Sequence, residues 1–179
     1  RPHMPFKAVL MAILISPMIV PLIITAAGMF FFYSKIGLTH TYLGLILAHT
    51  ALGTPFVVIT VTATLTGFDT NLIRASQSLG ADTLRTFFKV IMPLILPGVI
   101  SGGLFAFITS FDEVVVVMFV GSVEQITIPK QMWAGLRQET SPVILCMATC
   151  LVALSIALLT TVELLRRRSE RLRGIKLRN

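Results

Sequence analysis

Long apolar stretches alternate with short polar ones along this chain. Four stretches contain no Asp, Glu, Lys or Arg, and each can hold the roughly 20 apolar residues with which a helix crosses a bilayer. Because backbone amides in lipid must be paired within the segment, each stretch is predicted to be helical even where Val, Ile and Thr are frequent. The predicted spans are Ala8–Ser34, Ile36–Phe68, Val90–Phe111 and Thr140–Val162.

Composition places these spans in one class of protein. Hydrophobic residues make up 55% and charged residues 13% of the 179 residues, which is too little polar surface for a water-soluble globule. The sequence therefore predicts an all-α, polytopic transmembrane helical bundle, with residues 1–179 as a single domain. Pro17 and Pro21 predict a bend in the first span, which is expected to cross the membrane and not to be a cleaved signal.

The distribution of Lys and Arg predicts the orientation. If both visible termini and the polar insert at residues 69–90 are cytoplasmic, that side carries twelve of the fifteen basic residues, as the positive-inside rule requires. The basic tail, residues 164–179, holds seven of the twelve. Contact with anionic membrane lipid explains this tail, and binding of nucleic acid is not expected.

The polar insert has the local signals of two helix starts. Asp69 and Thr70 are N-cap candidates for a short helix over Asn71–Leu79, and Gly80 supplies the left-handed position that ends it. Asp82 is predicted to cap a second helix that continues into the membrane.

Two prolines follow this second helix start. Pro93 and Pro97 each remove an amide donor, so the start of the third span is predicted to be bent and locally unpaired. A short helix held off the membrane suits docking into another protein, and Ala75 and Ser76 are small enough for close approach. The residues alone leave a second interpretation open, an ordinary cytoplasmic loop.

The segment LGADTLRTFFKVIMPLILPG resembles the EAA loop of ATP-binding-cassette importer permeases, with Gly80, Pro93, Pro97 and Gly98 at the family spacing. This chain has Arg74 where the family usually has its glutamate. The resemblance implies that the short helix couples to a cytoplasmic ATPase. It assigns that coupling role to Arg74, Ala75, Ser76, Leu79, Gly80, Asp82, Pro93 and Pro97.

Three further segments, LGLILAHTALGTPFVV, SFDEVVVVMFVG and TIPKQMWAGLRQETSP, resemble the second permease of spermidine/putrescine-type importers. The resemblance implies a bacterial inner-membrane location and three kinds of partner: a second permease subunit, two ATPase subunits, and a periplasmic or lipid-anchored solute-binding protein. Relatives with similar loops carry ferric iron or other small solutes. Family members usually have one or two more helices at the start, so the chain is expected to lack its N-terminal part.

Asp112 and Glu113 are candidates for the solute pathway. Fifteen residues of helix after Pro97 rise about 22 Å, less than the roughly 30 Å of hydrocarbon. Carboxylates at that depth usually face a cavity and would attract a cationic solute such as a polyamine. The alternative is that they end the third span at the outer surface or pair with Lys130 or Arg137.

The outer loop is predicted to contain an interfacial helix beginning near Pro129. Trp133 is either an anchor at the membrane interface or a residue that holds an ammonium group by cation–π attraction. The resemblance places this region against the solute-binding protein, with Glu124 and Glu139 as candidate contacts.

Several kinds of chemistry lack their motifs in this sequence. There is no G-x-x-x-x-G-K-[ST] phosphate loop, so ATP and Mg are expected on a partner ATPase and no cofactor is expected in this chain. No catalytic residues and no metal site are predicted, because Cys146 and Cys150 have no His or third Cys beside them. The competing class of function is a secondary transporter or channel driven by an ion gradient.

Overall fold

The computed structural model describes residues 5–138 and 142–172. They fold into helices joined by short loops, in two compact units, Arg1–Gln125 and Ile126–Asn179. In chain order the helices are α1 (Lys7–Ile19), α2 (Leu22–Ile36), α3 (Tyr42–Thr66), α4 (Asn71–Ser78), α5 (Thr83–Thr86), α6 (Met92–Phe111), α7 (Val115–Val120), α8 (Ile128–Gln138) and α9 (Pro142–Leu172), with a π-helical turn at Phe87–Ile91 between α5 and α6.

The first predicted span is broken. Helices α1 and α2 meet at an angle of 110°, because Pro21 forces the preceding Val20 into an extended conformation with ψ of 135°. Pro17, in contrast, is accommodated inside α1. The predicted bend is confirmed, and it takes the form of a break between two helices.

Helices α3 and α6 form a closely packed antiparallel pair. Residues spaced four apart on α6 are small, so the two backbones approach each other closely. A Cβ added at Gly102 would lie 2.8 Å from the Val57 Cα, a separation that side chains do not adopt. We call Gly98, Gly102 and Ala106 the small-residue stripe. Along the interface the stripe pairs Gly98 with Thr64, Gly102 with Thr60 and Ala106 with Gly53.

The buried core of the first unit lies around the short helix α7. Val116 and Val120 are fully buried against Ala26 of α2 and Ala48 of α3. The loop between α2 and α3 is fastened to the end of α7, since the His40 N–H donates to the Val120 carbonyl at 2.8 Å. These contacts fix the position of the chain just after α6, where Asp112 and Glu113 lie.

In the second unit, α8 packs on α9. A Cβ at Gly135 would lie 2.6 Å from the Ile144 Cδ1, so the two helices are in direct contact at this point. Helix α9 continues to Leu172 and thus into the basic tail predicted for residues 164–179.

Over the described residues, three helical segments are long and apolar enough to cross a membrane, Tyr42–Thr66, Thr83–Phe111 and Pro142–Thr161. The bent pair α1 and α2 makes a fourth if it counts as one broken span. Four predicted spans are therefore roughly consistent with the all-helical fold.

Candidate coupling and solute sites

Helix α4 is fixed at both ends by its own sequence. At its start the Asp69 carboxylate accepts from the Asn71 N–H at 2.9 Å. At its end Gly80 has φ of +81°, and two reversed hydrogen bonds close the helix, from the Gly80 N–H to the Gln77 carbonyl at 3.0 Å and from the Ala81 N–H to the Ser76 carbonyl at 3.1 Å. This is a Schellman motif, which confirms the predicted glycine stop. The helix ends at Ser78, one residue before the predicted end.

The exposed side of α4 is apolar in part. Leu72, Ala75 and Leu79 recur at helical spacing and are all exposed, and Leu79 retains 88% of its accessible surface. Arg74 is exposed beside them. Leu72, Ala75 and Leu79 thus form a small exposed apolar patch on α4 and at its end.

Ser76 faces the other way. Its hydroxyl lies 3.0 Å from the Thr86 hydroxyl, and Thr86 is only 2% exposed. Ser76 therefore ties α4 to α5 and is partly buried, whereas Ala75 is exposed. Close approach of another protein at these two residues stays a prediction.

From Asp82 the chain continues into the membrane without a break. The Asp82 carboxylate accepts from the Arg85 N–H at 2.7 Å, as predicted for the cap, and Thr83–Phe111 form one segment of 29 helical residues. Pro93 lies in the first turn of α6 and Pro97 inside it.

The expected irregularity near the prolines takes the form of a π-helical turn. The Met92 N–H donates to the Phe87 carbonyl, five residues back, so the helix widens just before Pro93. The helix therefore remains continuous through both prolines, and the predicted bend and local loss of pairing stay predictions.

The two carboxylates after α6 lie in different environments. Asp112 is exposed and forms the C-cap of α6. Glu113 is 6% exposed, and its Oε1 accepts from the Val116 N–H at 2.8 Å. Glu113 thus caps the buried helix α7, while Asp112 remains accessible. The expectation that these residues end the third span is confirmed, and pairing with Lys130 or Arg137 stays a prediction.

A polar contact between α3 and α6 indicates how far along the helix pair Asp112 lies. The His49 Nδ1 of α3 lies 2.9 Å from the Ser110 hydroxyl of α6. Two residues further along the antiparallel register, Asp112 lies level with Leu47, about 8 Å along the axis from Tyr42, where α3 begins. Asp112 is therefore inside the length of α3, and its depth in the bilayer stays a prediction.

On the loop after α7, Glu124 is exposed at the tip of a rigid turn. The Ser122 N–H donates to the Gln125 side chain at 2.9 Å, and the Gln125 N–H donates to the Ser122 hydroxyl at 3.2 Å. These reciprocal bonds hold Val123 and Glu124 outward. Glu139, the other predicted contact, lies outside the described residues.

Helix α8 carries Trp133 as predicted. The indole is about half exposed, Leu136 is exposed, and Met132 is partly buried. This arrangement agrees with an interfacial helix and leaves the choice between lipid anchor and cation–π contact as a prediction.

Sequence reasoning missed two features that position the site. The small-residue stripe has a readable signal, the G-x-x-x-G spacing of Gly98 and Gly102. The cap that Glu113 provides has no comparable signal, because its partner is a backbone N–H of a helix only six residues long.

Comparison with known proteins assigns a class to this arrangement. Residues 1–171 match the family described as binding-protein-dependent transport system inner membrane component. The chain belongs to this family, whose members are multi-pass inner-membrane proteins of transport systems.

Three similar proteins are named as permeases of spermidine/putrescine or putrescine transport systems. The chain is 32% identical to the spermidine/putrescine transport system permease protein PotC of Haemophilus influenzae over 152 residues, which cover 85% of this chain and 59% of that protein. It is 31% identical to PotC of Escherichia coli over 150 residues, covering 84% of this chain and 57% of that protein. The putrescine transport system permease protein PotI of Escherichia coli is 29% identical over 145 residues, covering 76% and 51%. The chain thus spans little more than half the length of these relatives.

Proposed function

We propose that this chain forms half of the solute pathway in an ATP-driven importer and couples to a cytoplasmic ATPase through α4. The observation that carries the proposal is the geometry of α4, a helix fixed at both ends by Asp69 and Gly80 that presents Leu72, Ala75 and Leu79 outward. A rigid, partly apolar rod of this kind fits a cleft on another protein. The excess of basic residues around the insert supports a cytoplasmic position, with both visible termini on the same side.

The ATPase supplies the energy in this proposal. Without a phosphate loop in the chain, ATP and Mg bind on two ATPase subunits. Closure of these subunits moves α4, and the hydroxyl contact between Ser76 and Thr86 transfers the movement to α5. Because Thr83–Phe111 form one continuous helix, the movement continues along α6 to Asp112 at its other end.

The proposed solute is a polyamine such as spermidine or putrescine. The named relatives support this choice, and so does the exposed Asp112 carboxylate, which would attract a cation. Trp133 could add a cation–π contact at the outer surface. Ferric iron and other small solutes are the alternatives within the same class.

The remaining proposed partners complete the transporter. A second permease subunit forms the other half of the pathway, and a solute-binding protein delivers the polyamine to the outer face. Glu124 is proposed to contact the binding protein, because a rigid turn holds it outward, and Glu139 is proposed with it.

Reconstitution tests this function. The permease pair, the ATPase and the solute-binding protein are placed in liposomes, and labelled spermidine or putrescine is followed. We expect uptake that requires both ATP and the binding protein. Uptake by the permease alone, driven by an ion gradient, would instead establish a secondary transporter, and ATP-dependent uptake of iron without polyamine would correct the solute.

A further inference from the structure

The helix that follows Asp82 has an uncovered side at its start. Thr86 is buried, and its hydroxyl contacts that of Ser76 on α4. At about 100° per residue, Leu84 and Phe88 lie on the side of the helix opposite Thr86. Leu84 is 69% exposed and Phe88 is 62% exposed. This side therefore faces away from α4 and lies open among the residues that the structure describes.

Two cations lie beside this apolar pair. Arg85 and Lys89 are exposed, and because they too are four residues apart, they form a second row along the helix. Over residues 5–138 and 142–172 neither cation has an ion-pair partner. The Asp82 carboxylate is engaged instead by the backbone N–H of Arg85, at 2.7 Å. We call Leu84, Arg85, Phe88 and Lys89 the basic–apolar patch.

The length of the helix brings this patch to the level of the lipid headgroups. Thr83–Phe111 contains 29 residues, which rise about 43 Å, whereas the hydrocarbon core is about 30 Å thick and the whole bilayer about 40–45 Å. Between Lys89 and Asp112 the sequence has no charged residue. Because a charge within hydrocarbon is costly, the uncharged run occupies the core. The first turns, which carry the patch, extend beyond it.

The patch combines two features that match a phospholipid. A guanidinium presents paired N–H donors that fit a phosphate group, and an ammonium adds a compact positive charge. A free phosphate ion would engage these cations alone and leave Leu84 and Phe88 uncovered, whereas acyl chains cover them. A zwitterionic lipid has a cationic group beside its phosphate, which the two cations repel. The chemistry therefore favours a lipid with net negative charge.

We propose that the basic–apolar patch binds an anionic phospholipid, with the lipid phosphate at the two cations and the acyl chains against Leu84 and Phe88. The inference goes beyond the proposed function, since it needs neither a polyamine nor the ATPase. It needs only that Thr83–Phe111 cross the bilayer. The bound lipid lies against α5 and the π-helical turn, on the side away from α4.

The test uses one tryptophan as a reporter of nearby lipid. Trp133→Phe removes the single native tryptophan, and Phe88→Trp then places an indole in the patch. The permease is reconstituted in mixed vesicles of phosphatidylglycerol and phosphatidylcholine, in which one lipid at a time carries brominated, quenching acyl chains. We expect phosphatidylglycerol to bind at this reporter about fivefold more strongly, equivalent to about 1 kcal/mol, as is typical for a cation near an anionic membrane surface.

Matched variants separate the patch from the general surface. In the patch reporter, Arg85→Gln combined with Lys89→Gln should bring the binding ratio of the two lipids to about one while quenching persists. Lys35→Gln, which removes an exposed cation elsewhere, should keep the fivefold preference. With Trp133→Phe, Phe105→Trp provides a second reporter, since Phe105 is exposed on the same helix within its uncharged run. Both lipids should quench this second reporter equally.

Equal binding of the two lipids at the patch reporter would overturn the proposal, and so would a preference that survives the loss of both cations. A preference of the same size at Phe105→Trp would indicate general enrichment around the helix and would also refute the site. Absence of quenching by either lipid, or quenching abolished by the bound ATPase, would assign the patch to a protein contact instead. None of these results involves uptake of solute, so they are distinguishable from a failure of the proposed function.

Discussion

The α3–α6 pair and the polar insert that joins them are continuous in sequence but are held together differently. The pair is held by shape, because the small-residue stripe lets two backbones approach so closely that an added methyl group has no space. The insert is held by caps and turns, and an added Cβ at Gly80 meets nothing within 4 Å. What constrains Gly80 is its φ of +81°. The comparison teaches that a glycine can be required for space in one region and for backbone conformation in the next.

This difference follows from the surroundings of each region. Within lipid there is no hydrophobic force between apolar helices, so close packing and a few polar contacts have to hold the pair. In water, short helices are marginal, and local hydrogen bonds at their ends decide whether they form. The membrane pair is thus suited to rigidity and the insert to presenting a defined surface.

The largest expected effect is on the membrane pair. Gly102→Ala places a methyl group 2.8 Å from the Val57 Cα, so the helices must separate, at a cost of about 1–3 kcal/mol. Thermal unfolding in detergent should show the loss. The neighbouring Gly103→Ala is the matched control, because a Cβ there meets nothing within 4 Å. Equal stability of the two variants would contradict the packing described for α3 and α6.

The next effect is on coupling. Gly80→Val forces a β-branched residue into a left-handed conformation, at a cost of about 1–2 kcal/mol, and should disrupt the Schellman end of α4. We expect ATP hydrolysis that no longer drives uptake, with normal amounts of protein in the membrane. Gly67→Val is the control, since Gly67 has open space and φ of −91°. Normal uptake by the Gly80 variant would argue against coupling through α4.

A smaller effect is expected at the contact between α4 and α5. Ser76→Ala removes the hydroxyl partner of the buried Thr86 and should weaken the attachment of α4 by about 1 kcal/mol. Hydrogen exchange of the α4 amides should become faster. In Ser78→Ala, which removes only a bond to the Arg74 carbonyl of the same helix, exchange at the α5 contact should not change. Identical exchange in both variants would contradict a stabilising contact between the Ser76 and Thr86 hydroxyls.

The smallest effect concerns the polar contact within the membrane pair. Ser110→Ala breaks the bond to His49, and such bonds between membrane helices average about 0.6 kcal/mol. A double-mutant cycle with His49→Phe should give a coupling energy of that size. A coupling energy near zero would mean that shape alone holds α3 and α6.

Much of this fold is predictable from the sequence because lipid leaves few options for the backbone. The apolar runs predicted α3, α6 and α9. Local rules predicted both ends of α4 and the start of α5, since Asp69, Gly80 and Asp82 act on residues only two to four positions away. The contact of His49 with a neighbouring helix was also predictable, because a polar side chain in lipid needs a partner.

Other features of the fold are not specified by the type of a single residue. The 110° turn between α1 and α2 and the π-helical turn before Pro93 are two different responses to proline, and the residue alone does not specify which one occurs. Glu113 was grouped with Asp112 because they are adjacent, whereas the fold buries Glu113 as a cap and leaves Asp112 exposed.

The most direct test of the central claim labels a cysteine on α4. With Cys146 and Cys150 replaced by alanine, Ser78→Cys is exposed to a membrane-impermeant thiol reagent in intact cells and in inverted membrane vesicles, with and without the ATPase. We predict labelling only in inverted vesicles, and protection when the ATPase is bound. Labelling in intact cells, or labelling in vesicles that the bound ATPase does not reduce, would contradict the assignment of α4 as the ATPase docking helix.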